Sequence, residues 1–228
     1  MILAVHQPQY IPWLGYFHRI AKCDYFVFLD DVQYKKREFQ NRNKILTPGG
    51  PLWLTLPVIT KGHYTQNIKD VLLDSTEDWA KSHFKSIEHN YHKAPHYNEH
   101  SGFLTELYSR KWEKLIDVSM EFIKYAMNYL SIKTPWKMSS EYNVTETSTA
   151  RIIELCKKTG ADTYLSGAGG KDYMDEELFK QNGIKLIFQD FKHPEYRQLH
   201  GKFEPYMSLV DLFLNCGADS REILFGKS

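Results

Sequence analysis

A chain of 228 residues with 42% apolar and 25% charged side chains is long enough for one sizeable α/β core and has a globular rather than a disordered composition. Its 29 basic and 28 acidic residues leave a formal charge of +1, which argues against a protein whose main work is coating nucleic acid or an anionic membrane. Cys23, Cys156 and Cys216 are far apart and form no CxxC pair. That pattern suits reduced, buried thiols better than a disulfide framework or a zinc site. The first residues carry neither the basic nor the long apolar region of a signal peptide, and no stretch approaches the ~20 apolar residues of a transmembrane helix. A cytoplasmic protein without membrane insertion is expected.

In chain order, Ile2–His6 reads as a short buried strand. Gln7–Pro12 cannot be helix, because Pro12 drives Ile11 toward extended backbone. A helix is predicted from about Trp13 to Lys22, with Leu14, Phe17 and Ile20 at helical spacing. Tyr25–Leu29 is a second buried strand, so this opening is a βαβ unit with parallel strands and a right-handed crossover. Asp30–Lys44 reads as a charged loop, Leu52–Val58 as a third strand and Asn67–Leu73 as a fourth. Thr76–Leu130 turns helical, with breaks expected near Pro95 and Ser101–Gly102. Trp136–Ser139 suggests a short strand. A helix capped by Thr147 or Ser148 should run to Lys158 and stop at Gly160. Thr163–Ser166 and Ile184–Phe188 are further strands, separated by a Gly-rich loop and a short helix from Met174. Leu209–Asn215 and Ser220–Phe225 should be helical. The alternation predicts one domain over residues 1–228, built on a doubly wound, mostly parallel α/β sheet with a helical insertion at about 76–131.

Ligands of open parallel sheets bind beyond the carboxyl ends of the strands. Three segments of this chain follow such ends. In the first, His6 offers a base or donor, Gln7 an amide, and Tyr10 and Trp13 flat faces for a base or sugar ring. Gly15 allows close approach at a helix start, where backbone amides favour anions. Read structurally, His6 is a strand-end histidine satisfied by a carbonyl, and Trp13 and Tyr16 are core. In the second, Asp30, Gln33, Asn41 and the basic run Lys35–Arg42 suit a phosphorylated ligand, with Arg37 and Arg42 able to fork onto phosphate oxygens. The plain alternative is a solvated charged loop. In the third, Ser166, Gly167, Gly170 and Tyr173 surround a small-residue loop of the kind that cradles phosphate, although it matches neither the Walker nor the Rossmann pattern. His89 and His92 have helical i, i+3 spacing but no third ligand at metal spacing, so no metal and no cofactor is expected.

These segments resemble the WbqC-like protein family along essentially the whole chain. The resemblance is carried by His6-Gln7-Pro8-x-Tyr10-x-Pro12-Trp13-x-Gly15-Tyr16-Phe17, by Leu29-Asp30-x-Val32-Gln33-Tyr34-x-Lys36-Arg37 with Asn41-Arg42-Asn43, and by Tyr164-Leu165-Ser166-Gly167. Phe188-Gln189-Asp190-Phe191-x-His193-Pro194-x-Tyr196 and Leu209-Val210-Asp211-Leu212-Phe213-x-Asn215-x-Gly217 complete it. The family takes its name from genes of O-antigen and related surface-polysaccharide clusters, which implies work on an activated sugar or its acyl decoration. The opening is also similar to nucleotidylyltransferase-type α/β folds, which carry His-x-Gly-His where Trp13 and Tyr16 stand here. That similarity implies nucleotide binding without nucleotidyl transfer, with His6 as the replacement catalyst.

Together these readings lead to an expected transferase that acylates or aminoacylates the amino group of a nucleotide-sugar substrate. His6 would accept the amine proton, Gln7 and Asn41 would orient the sugar, and Arg37, Arg42 and the Ser166–Gly170 loop would hold the pyrophosphate. An aminoacyl-tRNA is a candidate donor, met by Lys35–Arg42 and by Lys81, Lys85, Arg110, Lys111 and Lys114. The alternative is a non-catalytic binding or scaffold protein of the same pathway.

Overall fold

The computed structural model describes residues 1–226. Five parallel strands form the central sheet: β1 (Ile2–His6), β2 (Tyr25–Phe28), β5 (Trp136–Met138), β6 (Thr163–Ser166) and β7 (Lys185–Phe188), in the order β5-β2-β1-β6-β7. Strand order therefore reverses between β1 and β6. The carboxyl ends of those two strands are the topological switch point, where such sheets bind ligands.

Side chains on these strands alternate between two cores, as the twofold period of a strand requires. Ala4, Phe26, Phe28 and Leu165 face one core, packed by α1 (Leu14–Ala21), α4 (Leu115–Tyr129) and α7 (Leu209–Cys216). Leu3, Val5, Val27, Leu29 and Tyr164 face the other, packed by α5 (Ser148–Thr159) and α6 (Glu176–Gln181). Apolar residues fill both faces, so the strands read as continuous apolar runs. The doubly wound, mostly parallel α/β class is what the chain adopts.

Between β2 and β5 lie an antiparallel hairpin of β3 (Arg42–Thr47) and β4 (Gly50–Thr55), and the helices α2 (Trp79–Tyr91), α3 (Tyr97–Ser109) and α4. The chain closes with α8 (Ser220–Phe225). α5 ends at Gly160, whose φ of 74° is the left-handed conformation that glycine adopts without a Cβ penalty.

Several expected elements differ. β3 begins inside the stretch that reads as charged loop, because Arg42, Asn43 and Lys44 mask a strand whose Asn43, Ile45 and Leu46 are buried. Asn67–Leu73 holds only a turn of 3-10 helix (Ile68–Asp70) and isolated bridges, Gln33 to Asn67 and Val58 to Leu73. The expected break at Ser101–Gly102 lies inside α3, where nothing crowds a Cβ at Gly102. The real break is at Arg110–Lys114, where Trp112 Nε1 donates to the Leu107 carbonyl at 2.7 Å. The three cysteines are free and buried. Among the described residues, no helix is long and apolar enough to cross a membrane, and no three His, Cys, Asp or Glu side chains gather as a metal site.

Candidate functional site

β1 and β6 end at His6 and Ser166, and three cavities meet at His6, apart from a larger one of about 970 Å³ between Trp79 and Trp112. A cleft of about 660 Å³ opens on the α5 side, lined by His6, Gln7, Arg19, Lys35, Ser166 and Gly167 among others. A second lobe of about 380 Å³ opens on the α1 side between Trp13, Tyr16, Arg19, Gln189, Phe191 and Tyr206. A third, of about 310 Å³, runs from His6 and Gln7 toward Lys35 and Phe39. His6 borders all three.

The orientation of His6 is held by the backbone that follows it. The Gln7 carbonyl accepts from His6 Nδ1 at 3.0 Å and from Tyr16 Oη at 3.0 Å, and the two rings meet edge to face at 5.3 Å. A carbonyl can only accept, so Nδ1 carries the proton and Nε2 keeps its lone pair. Burial pushes the His6 pKa down to about 3, helped by the charge of Arg19 and opposed by the bond to Gln7. The ring is therefore neutral near pH 7, with an open acceptor.

Arg19 stands beside it, on the stripe of α1 that begins at Gly15. Its side chain is 7% exposed and borders both larger lobes. Among the described residues it has no carboxylate partner, its guanidinium donates no hydrogen bond, and its buried Nε is unsatisfied. Burial lowers its pKa, and the groups that oppose this are Tyr164, Tyr16, Tyr173 and Cys23 rather than an acid. A buried cation in this condition carries a large desolvation cost with nothing in the chain to offset it. Gly167 makes the position possible: a Cβ there would sit 2.5 Å from Arg19 Nη1. Gly170 has a similar reason, since its Cβ would meet Ser166 Oγ at 1.9 Å.

The α5 lobe adds further anion-binding character. Ser148 of the first turn of α5 lines it, that turn holds no acid, and Thr147 gives it no side-chain cap, while Arg151 there is already paired with Asp31. The amides at such a helix start attract negative charge.

Of the residues singled out from sequence, His6, Gln7, Ser166, Gly167, Gly170 and Tyr173 line the α5 lobe, and Trp13 and Gly15 line the α1 lobe. Gly15 lets the Trp13 ring fold over the helix start, where a Cβ would come within 2.2 Å of it. The others lie elsewhere. Tyr10 is fully buried, its hydroxyl 2.6 Å from Tyr108 Oη and 2.9 Å from His83 Nδ1, so it presents no face to a ligand. Asp30 accepts from Ser139 Oγ, Ser140 N and Ser140 Oγ at 3.0, 2.8 and 2.6 Å. Gln33 donates to the Tyr64 carbonyl at 3.1 Å and Asn41 to that of Leu56 at 2.8 Å. Arg42 donates to the Arg37 carbonyl and lies 4.4 Å over the Trp53 ring, while the Arg37 side chain is exposed outside the lobes. Arg42 of the basic run thus turns onto the β3–β4 hairpin, and Lys35 is left at the cleft.

Sequence reasoning gives no site role to Arg19, Arg151, Gln189, Phe191 or Tyr206, whereas Lys35 lies in the basic run it assigns to phosphate. Arg19 had a usable signal, since it is four residues beyond Gly15 and shares its helix face. Gln189 and Phe191 belong to a motif that was recognised but given no place.

The WbqC-like protein family model matches residues 7–223 of this chain. The chain is 38% identical over 224 residues to "Uncharacterized protein Rv1507c" of Mycobacterium tuberculosis (strain ATCC 25618 / H37Rv), covering 97% of this chain and 96% of that one. No solved structure gives a significant match.

Proposed function

The chain belongs to the WbqC-like protein family, and from that premise we propose that it is a transferase acting on the amino group of a nucleotide-activated amino sugar in surface-polysaccharide (O-antigen) assembly. One observation carries the reading. A buried, unpartnered Arg19 stands beside a neutral His6 with an open Nε2, at the sheet's switch point. The cation calls for an anionic substrate, and a diphosphate suits the glycine loop and α5 start around it.

In this reading the sugar's neutral amine attacks the acyl carbon and a C–N bond forms. The ester bond to the donor breaks, and the amine proton passes through His6 Nε2 to the leaving oxygen. A free imidazole with so low a pKa is a weak base. A phosphate seated on Arg19 would cancel one of the two causes of that depression, so substrate binding itself strengthens the base. The third lobe, leading from His6 to Lys35 and Phe39, supports a donor delivered along the basic segment, such as an aminoacyl-tRNA. Arg110 is a weaker support for that donor, because it already pairs with Glu121 at 2.9 Å and stacks on Trp112.

The weak basicity of His6 is also what a binding-only protein would tolerate, and turnover separates the two. Protein, a nucleotide amino sugar and either charged tRNA or acyl-CoA are incubated, and the mass of the sugar is followed. A gain of an acyl group that His6→Ala abolishes is expected. Ligand binding with no mass change under either donor would favour the scaffold reading, and product with acyl-CoA alone would remove the tRNA donor.

A further inference from the structure

The lobe on the α1 side is not accounted for by anion binding. Beside Arg19 and the Gly167–Gly169 loop, its wall is aromatic and drawn from separate parts of the chain. Trp13 meets Phe191 at 5.5 Å and Tyr206 at 5.6 Å, in both cases edge to face, and His193 lies nearly parallel to Trp13 with centroids 6.4 Å apart. Backbone pairing joins the Trp13 and Tyr206 segments to each other and anchors the Gln189–Phe191 segment to β6. Trp13 bridges to Ser208, and Gln189 N donates to the Ser166 carbonyl at 2.8 Å. Tyr206 is 54% exposed at the mouth, with a φ of 62° that its backbone adopts despite carrying a side chain.

Besides Arg19 and His6, this wall presents an unpartnered acceptor. Gln189 Nε2 donates to the Gly15 carbonyl at 2.9 Å and lies 3.0 Å from His18 Nδ1, which fixes the amide. Its carbonyl oxygen has no partner among the described residues. Aromatic faces with one fixed acceptor suit a ring that carries C–H groups on its flat side and hydroxyl or amine donors at its edge, because the negative face of an aromatic ring attracts such C–H groups. A pyranose is such a ring.

The neighbouring lobe is larger, about 660 against 380 Å³, and its apolar wall is mostly aliphatic, from Val5, Leu29, Val32 and Ile152. It has room for a base with its ribose, whereas the aromatic lobe takes one ring. We infer that the aromatic lobe is a hexose-ring subsite, so that a nucleotide sugar lies across Arg19 with its nucleoside against α5 and its sugar among Trp13, Phe191, Tyr206 and Gln189. This assignment rests on the nucleotide-sugar reading above and divides its substrate between the two lobes. It also sets the sugar's substituents beside His6, which borders both.

The test is calorimetric titration of UDP, dTDP and GDP, each alone and as its hexose or hexosamine conjugate. The wild-type protein is compared with Tyr206→Ala, whose exposed side chain can be lost without opening the core. Trp13→Leu is a second variant, with its fold checked by circular dichroism. The matching conjugate is expected to bind about tenfold more tightly than its nucleoside diphosphate, and both variants should erase most of that difference while leaving the diphosphate's own affinity within about twofold. Equal losses for the diphosphate and its conjugate would put the base in the aromatic lobe and overturn the assignment. Conjugates no tighter than diphosphates would overturn it too, with anion binding intact. Absence of binding by every diphosphate and conjugate would overturn both this assignment and the reading beneath it.

Discussion

Two buried arginines stand near the carboxyl edge of the same sheet, and their surroundings are opposite. Arg151 is paired by the chain: it meets Asp31, and its Nη1 donates to the Val144 and Glu146 carbonyls at 3.0 and 3.2 Å, although its Nε, like that of Arg19, has no partner. The adjoining Asp30 is equally satisfied by Ser139 and Ser140. Arg19, a short way along the sheet, has no carboxylate and no hydrogen bond of its own among the described residues. The first arrangement closes the end of β2 and ties it to α5. The second leaves a charge that the chain itself does not pair. Burial alone marks neither residue as functional; the difference lies in whether the chain supplies the counter-charge.

The largest expected effect breaks the satisfied side. Asp31→Ala should cost about 3–5 kcal/mol in urea unfolding, because Arg151 is then left buried without its carboxylate. Adding Arg151→Met should recover much of that loss. A cost under about 1 kcal/mol would mean that this pair is not the closed structure described.

Arg19→Met is expected to do the reverse. Removing an unpartnered buried cation should leave stability unchanged or raise it by about 1–2 kcal/mol. The same variant should lose the melting rise that a nucleotide sugar produces in the wild type, a gain of about 2.7 kcal/mol at a hundredfold excess over Kd. Strong destabilisation by this substitution would show that Arg19 is structural after all.

The next effect is on pH. His6 titrates at about 3 in the folded protein, and His83 and His100 at about 4, all lowered mainly by burial from an ordinary value of 6.5. Below pH 6.5 the unfolded chain takes up protons that the folded one refuses. Stability is therefore full above pH 6.5 and declines as pH falls toward 4 and then 3. Melting curves across that range should be flatter for His6→Asn than for the wild type.

The smallest effect expected is that of Arg37→Ala, within about 0.5 kcal/mol of wild type, since the side chain is exposed. Its nucleotide-sugar response should survive, in contrast to Arg19→Met. Loss of that response would return the phosphate to the basic loop.

Much of the frame was legible before any coordinates. The runs Ile2–His6, Tyr25–Phe28 and Thr163–Ser166 are too short and too apolar for anything but buried parallel strands, and Gly160 closes its helix where a left-handed residue is needed. The segments that follow those strands border the cavities at the switch point. Within them, residue type did not reveal direction. Tyr10 and Trp13 are both aromatic and three positions apart, yet one is locked under Tyr108 and His83 while the other lines a lobe.

By itself the sequence determined the alternation of strands and helices, the parallel sheet they imply and the family to which the chain belongs, because these follow from local periodicity and from motifs that survive in order. Only the tertiary structure decided which charges are paired. Asp31 meets Arg151 across 120 residues of chain, whereas Arg19, in the helix of the opening motif, meets no acid among the described residues. Pairing of buried charge depends on what long-range packing brings within about 4 Å, and no local pattern of residues encodes that distance.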